Sequence, residues 1–168
     1  VKNFEKYFGN RNKKDLALTY RFNQRLCELT SSFIQKNSNQ LEKNIKGIIE
    51  YNDVPVEIIR QKDKSSFEID FSLKINLLCN LDNIFRSDPN VKKILFLTRY
   101  HDYKYKNGYE DLEKYLHSIF KSKKKNIEFS TIHLAKGSEA DYVFLLNVSD
   151  GFLGFPSTIE DDPLLKLA

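Results

Sequence analysis

Apolar residues recur along this chain at two alternating spacings, and the alternation predicts a mixed α/β fold. Apolar positions three and four residues apart predict helices, whereas short runs rich in β-branched and aromatic residues predict strands. The predicted helices are residues 3–8, 23–36, 73–85 and 109–120. The predicted strands are residues 15–20, 54–59, 66–71, 93–98, 127–132 and 142–147. Because strands alternate with helices, we expect a mostly parallel sheet with helices as crossovers.

The predicted elements fit one domain. The chain has 168 residues, a one-domain length, and no internal repeat or extended linker interrupts it. Residues 37–46 are polar and predict a loop, and residues 149–168, rich in Gly, Pro and Asp, predict a surface tail. The β-rich middle, residues 54–71, has a second interpretation as an excursion from the core sheet.

Composition narrows the class of protein. Hydrophobic residues make up 40% of the chain and aromatic residues 13%, which excludes wholesale disorder. No apolar run approaches the roughly eighteen residues of a membrane span, and no signal peptide is recognisable, so we expect a cytoplasmic protein without a membrane partner. Cys27 and Cys79 lack CxxC spacing and lie in apolar helical stretches, so we expect buried thiols rather than a disulfide or a zinc site.

The charge of the chain permits a nucleic-acid partner without requiring one. The formal net charge is +4, and residues 121–125 form the densest basic run. We expect this run to be a solvated helix C-terminus, where cations suit the helix dipole. Contact with phosphate is the alternative.

Residues 131–141 form the most informative stretch of the sequence. They read TIHLAKGSEAD and lie between two apolar runs that predict strands. The loops that follow buried parallel strands line the ligand crevice of an open α/β sheet. The pattern TxHxxKGxEADxV resembles motif V of the UvrD/Rep-type helicases of superfamily one.

Two further blocks support the resemblance. Residues 16–23, LALTYRFN, resemble motif IV of the same family, although the family more often has Ser where Phe22 stands. The following helix, and the GFPS and EDDPLL segments within residues 154–165, resemble the helicase IV branch of that family. The blocks occur in the family's order, and the resemblance is weakest over residues 47–90.

The resemblance implies a RecA-like three-layer fold with a mostly parallel sheet. The sequence contains no GxxxxGKS/T phosphate loop and no strand ending in Asp-Glu, both of which belong to the family's first RecA-like domain. It also lacks the arginine motif that follows motif V. We therefore expect residues 1–168 to be the second RecA-like domain of a longer enzyme, truncated before that motif. The chain begins with Val1 and contains no methionine, which agrees with this expectation.

The resemblance assigns nucleotide roles to several residues. It implies that Arg21 meets the γ-phosphate of ATP and stabilises transition-state charge, as arginines supplied across a domain cleft do. It implies that Tyr20 stacks on the adenine and that Glu139 accepts a hydrogen bond from a ribose hydroxyl. Gly137 permits close backbone approach or positive φ, and Lys136 either neutralises phosphate or pairs with Glu139. Tyr20 and Arg21 have a simpler alternative, a strand cap paired with a nearby carboxylate.

The resemblance implies DNA contacts from Thr131, His133, Arg99 and Lys136. Thr131 and His133 have short polar side chains that can donate to a DNA phosphate or relay between DNA and nucleotide. Residues 97–99 resemble the family's accessory arginine motif. The aromatic residues that follow Arg99 would stack bases beside its charge. Structural roles are expected for His117 and for the acidic residues 160–162.

The resemblance thus implies an ATP-dependent DNA helicase that translocates on single-stranded DNA. ATP and Mg²⁺ would belong to the intact enzyme, bound mainly by its first RecA-like domain, and neither would be held stably by this chain alone. The alternatives are an inactive RecA-like adaptor that binds nucleic acid or protein, and a helicase–nuclease or RNA-polymerase-associated relative.

Overall fold

Helices and strands alternate in the computed structural model, which describes residues 4–9, 16–37, 45–49, 54–60, 71–99 and 109–148. The helices are α1 (Phe4–Phe8), α2 (Gln24–Ile34), α3 (Phe71–Ser87) and α4 (Tyr109–Ile119), followed by a 3-10 helix (Lys121–Asn126). The strands are β1 (Leu18–Asn23), β2 (Lys46–Ile49), β3 (Ile94–Thr98), β4 (Ile127–Thr131) and β5 (Tyr142–Leu145). The chain divides into two compact units, Val1–Ile58 and Ile59–Ala168. Every described strand pair is parallel, which confirms the expected mixed α/β fold.

The second unit is built on a three-stranded sheet of order β4-β3-β5. Phe96 of β3 is fully buried, and its ring stacks on Phe129 and Phe144 of the neighbouring strands at centroid distances of 4.7 and 4.6 Å. Leucines of the two flanking helices complete this core: Leu77, Leu81, Leu112 and Leu116. The alternation of side chains along each strand therefore places one aromatic row against α3 and α4.

The first unit contains a two-stranded sheet, β1-β2, and α2. Asn23 caps α2, because its Oδ1 accepts a hydrogen bond from the Leu26 amide at 2.8 Å. Cys27 is the buried residue of this helix, whereas Leu29 and Phe33 are 47% and 74% exposed. The apolar spacing predicts one buried face made of Leu26, Leu29, Phe33 and Ile34. Leu29, Phe33 and Ile34 are exposed, so the prediction is wrong for these three residues.

Several boundaries differ from the prediction. β2 begins at the last residue of the predicted loop 37–46 and continues to Ile49, in a stretch for which the sequence predicted no element. Pairing with β1 forms this strand, and the local sequence gives little signal for it. Residues 54–59, predicted as a strand, have no regular structure, and Val54 and Ile58 are 77% and 76% exposed. The predicted strand at residues 66–71 lies outside the described residues up to Phe71, where α3 begins.

Two smaller expectations are also corrected. Cys79 is exposed, because Leu77 and Leu81 turn the other side of α3 towards the core. The basic run is a separate 3-10 helix after α4, and Lys123 Nζ lies 5.7 Å from the centre of the Phe85 ring. Among the described residues, no helix has the length and apolar character needed to cross a membrane.

Candidate nucleotide and nucleic-acid sites

Tyr20 and Arg21 lie inside β1 rather than at its end, where the sequence placed them. Tyr20 is 74% exposed, and Arg21 is exposed as well. The Arg21 amide donates a hydrogen bond to Thr19 Oγ1 at 3.3 Å. The strand therefore presents both side chains to solvent, so that a ligand outside this unit can approach them.

The β1–β2 ladder is irregular at these two residues. Thr19 pairs with Gly47 and Asn23 pairs with Ile49, so β1 advances four residues while β2 advances two. Tyr20, Arg21 and Phe22 therefore lie opposite Ile48 alone. Such a bulge bends its strand and changes the direction of side chains, and bulges are common beside active sites.

In the second unit, the carboxyl ends of β3 and β4 are adjacent. Thr98 pairs with Thr131 in the ladder, and the Ile132 amide donates to the Thr98 carbonyl at 2.9 Å. Arg99 follows β3 and His133 follows β4 by two residues, so both leave the sheet at one edge. This is the edge at which parallel α/β sheets bind their ligands.

Thr131 fixes the loop that follows β4. It is only 6% exposed, and its Oγ1 accepts a hydrogen bond from the Leu134 amide at 3.3 Å. The Thr131 carbonyl accepts a hydrogen bond from the Ala135 amide at 2.9 Å. The next turn is closed by a hydrogen bond of 2.9 Å from the Ser138 amide to the Ala135 carbonyl. The side chain predicted to contact DNA is thus engaged in holding its own loop.

The remaining predicted residues of this loop are exposed: His133, Lys136, Gly137 and Glu139. Gly137 has φ +88°, and a Cβ atom there would meet nothing within 4 Å. Positive φ, rather than close approach of the chain's own atoms, is therefore the reason for glycine.

Asp141 is a residue of this loop whose task the sequence did not reveal. Its Oδ2 accepts hydrogen bonds from the amides of Lys92 and Lys93 at 2.8 and 2.9 Å. Asn126 acts on the same segment, since its Nδ2 donates to the carbonyls of Val91 and Lys92 at 2.9 and 3.0 Å. Asp141 therefore joins the end of the loop to the start of β3. A carboxylate directly before a strand was the available signal.

The structural role expected of His117 is observed. Its Nε2 lies 3.1 Å from the Ile127 carbonyl oxygen and its Nδ1 lies 3.9 Å from Glu113 Oε1. The aromatic residues after Arg99 and the acidic residues 160–162 lie outside the described residues. Within the described ranges, no three His, Cys, Asp or Glu side chains form a group suited to a metal ion.

Comparison with known proteins shows which proteins this chain resembles in sequence. Residues 109–166 match the family model for the UvrD-like helicase C-terminal domain. Over 158 residues, the chain is 32% identical to DNA helicase IV of Escherichia coli (strain K12). Both matches support a UvrD-like helicase fragment. The alignment covers 94% of this chain and 20% of the relative, so the chain spans about a fifth of the relative's length. No solved structure gives a significant match.

The family match covers one of the two candidate sites. The loop from Thr131 to Asp141 lies within residues 109–166, whereas Tyr20 and Arg21 precede that range. The alignment with helicase IV covers most of the chain. The mixed α/β fold with parallel sheets is the fold expected of a RecA-like UvrD C-terminal domain.

Proposed function

We propose that this chain is the second RecA-like domain of an ATP-dependent DNA helicase that translocates on single-stranded DNA. The observation that carries the proposal is the family relationship of the loop after β4, which lies at the ligand-binding edge of a parallel sheet. The first RecA-like domain of the same protein would be its partner across the nucleotide cleft.

The proposed nucleotide residues have the exposure that the role needs. Arg21 is exposed on a bulged strand, so a nucleotide held by another domain can reach its guanidinium. An arginine supplied in this way neutralises charge that develops on the γ-phosphate in the transition state. The exposed Tyr20 ring offers a stacking surface for adenine. Glu139 would accept a hydrogen bond from the ribose, and Gly137 would let the backbone approach it closely.

ATP and Mg²⁺ would require further residues. The sequence contains no phosphate loop and no strand that ends in Asp-Glu, so we assign Mg²⁺ to the first domain. When bound, ATP supplies the free energy of hydrolysis, whereas this chain supplies charge stabilisation from Arg21 and a surface for the base. The chain alone is therefore expected to have no ATPase activity.

The DNA surface would consist of His133, Lys136 and Arg99. These residues belong to segments that leave the sheet at one edge, and cationic groups there would contact the phosphates of a single strand. Thr131 would contribute by holding the loop, because its hydroxyl oxygen already accepts the Leu134 amide.

The decisive experiment compares variants in the full-length protein that contains this chain. Arg21→Ala is expected to lower the DNA-stimulated kcat by about 10³-fold while ATP affinity stays near normal, as for other arginine fingers. His133→Ala should instead raise the DNA concentration needed for half-maximal stimulation. Arg86→Ala is the matched control, since the Arg86 side chain is 78% exposed and pairs with Asp82 on its own helix.

Each contrary result has a separate meaning. Equal loss of ATP affinity and turnover in Arg21→Ala would assign Arg21 to ground-state binding. Unchanged turnover in Arg21→Ala would overturn its catalytic role and favour a strand cap. A full-length protein that binds DNA but has no ATPase activity would support the alternative function, an inactive RecA-like adaptor.

A further inference from the structure

The bulge that carries Tyr20 and Arg21 is joined to β2 by a side chain of α2. Gln24 Oε1 accepts a hydrogen bond from the Gly47 amide at 2.8 Å, and Gln24 Nε2 donates to Glu28 Oε1 at 2.7 Å. Both ends of the Gln24 amide are thus engaged, which fixes its orientation. Helix α2 begins directly after the bulge, so the hydrogen bond connects the downstream end of the bulge to β2.

Gly47 also leaves no space for a side chain. A Cβ atom at this position would lie 2.7 Å from the Asn23 carbonyl carbon, 2.7 Å from the Gln24 nitrogen and 2.9 Å from the Phe22 carbonyl oxygen. All three are backbone atoms, so they cannot move aside as the end of a flexible side chain can. The chain at the end of the bulge therefore passes in direct contact with the Gly47 backbone.

Gly47 is involved at the upstream end of the bulge as well. It pairs with Thr19 in the ladder, and the amide of its neighbour Lys46 donates to the Ala17 carbonyl at 2.7 Å. One glycine thus contacts the residue before the bulge and the residues after it. The bulged residues between these two points are Tyr20, Arg21 and Phe22.

We propose that Gln24 and Gly47 are positioning residues, which hold the bulge in the shape that directs Arg21 towards the nucleotide. The proposal rests on the function proposed above, because it assumes that Arg21 acts in the transition state. Neither residue touches ATP, and both act through the backbone of β1. Displacement of a catalytic group by about 1 Å costs on the order of 10²-fold in rate, so a loosened bulge should be visible in turnover.

The test uses Gln24→Met in the full-length protein. Methionine has a similar length but no acceptor for the Gly47 amide, so we expect the DNA-stimulated kcat to fall by up to about 10²-fold. ATP affinity should change by less than about 2-fold, because Arg21 is assigned to the transition state. Hydrogen–deuterium exchange of the Gly47 amide should become faster, because that amide would lose its acceptor.

A swapped pair provides the rescue. Gln24→Glu combined with Glu28→Gln keeps an acceptor for the Gly47 amide and a hydrogen bond between the two side chains, and is expected to restore turnover. Cys27→Ala is the matched control. It removes the 3.1 Å hydrogen bond that Cys27 Sγ donates to the Ile45 carbonyl, and this hydrogen bond lies outside the bulge. It should lower Tm while kcat stays near that of the unmodified protein.

The double variant separates positioning from general damage. If Gln24→Met acts through Arg21, it should lower kcat no further in an Arg21→Ala background. Equal fold losses in both backgrounds would overturn the positioning role, as would unchanged kcat in Gln24→Met beside a reduced kcat in Arg21→Ala. If Arg21→Ala itself keeps full turnover, the proposed function of Arg21 fails, and the positioning role falls with it.

Discussion

The two candidate sites present polar residues from parallel strands by different means. In the second unit, β3 pairs without interruption with β4 and β5, from Ile94 onwards, and the loop residues follow from that register. In the first unit, the ladder is broken where Tyr20 and Arg21 lie. There, a side-chain hydrogen bond from Gln24 of α2 joins the bulge to β2.

The burial of the two regions differs in the same way. Phe96 and Ile94 of β3 are fully buried, whereas Leu18 and Tyr20 of β1 are 55% and 74% exposed. A regular ladder above a buried core is held by many weak contacts, so its stability should depend most on the buried side chains. A bulge fixed by one glycine and one glutamine depends on those two residues. The comparison therefore predicts different sensitivities.

The largest effect on stability is expected at the core of the second unit. Phe96→Ala removes a ring that stacks on two neighbours and should lower the free energy of unfolding by about 3–5 kcal/mol. Hydrogen exchange should accelerate most in β3, β4 and β5. Urea unfolding and residue-resolved exchange of the chain measure both quantities.

The matched control lies in the first unit. Phe33→Ala deletes the same ring from a position that is 74% exposed, and should change the free energy of unfolding by less than about 0.5 kcal/mol. Similar losses from both variants would show that the exposure of α2 is not maintained in solution. The contrast between the units would then be lost.

The sequence located β3, β4 and β5 within two residues, because each is a short run rich in β-branched and aromatic residues. The central strand β3 has the clearest signal, since it is a buried apolar run. β2 was missed since Lys46 and Gly47 give no strand signal, and its partners are distant in sequence. Residues 54–59 show the converse, an apolar alternation without a described partner strand.

The candidate sites were predictable to the same extent. Motif spacing identified Tyr20, Arg21 and the loop after β4 as candidates, because the residues of each motif are close in sequence. Gln24, Gly47 and Asp141 were not identified, since each acts through a contact with a distant segment. Only the folded backbone brings these partners together.

A smaller effect is expected where the loop returns to the sheet. Asp141→Ala removes the acceptor of the Lys92 and Lys93 amides and should cost about 1.5–3 kcal/mol, towards the lower end because the site is exposed. Asp141→Asn keeps one acceptor oxygen and should lose less. Chemical denaturation of the three proteins provides the comparison. An unchanged stability of Asp141→Ala would mean that the ladder alone positions the loop.

A still smaller cost is expected from Gly137→Ala. The added methyl group would meet nothing within 4 Å, so the only penalty is φ +88°, worth about 1–2 kcal/mol for an L-residue. Gly137→Asn should be tolerated better, because asparagine adopts left-handed conformations more readily. Thermal unfolding of both variants measures the difference. Equal losses would point to a contact of Gly137 rather than to its conformation.

The smallest effect concerns the charge of the loop. Lys136→Gln should leave stability unchanged, because Lys136 is exposed and forms no described ion pair, but it should weaken single-stranded DNA binding. Each phosphate contact contributes a slope of about −0.7 to the logarithm of affinity against the logarithm of salt concentration. Removal of one contact should therefore make the slope less negative by about that amount, which fluorescence anisotropy of a labelled oligonucleotide at several salt concentrations measures. Lys121→Gln is the matched control, since it removes the same charge from an exposed position at the start of the 3-10 helix. A change of slope in Lys121→Gln alone would place the DNA on the basic run and away from the loop after β4.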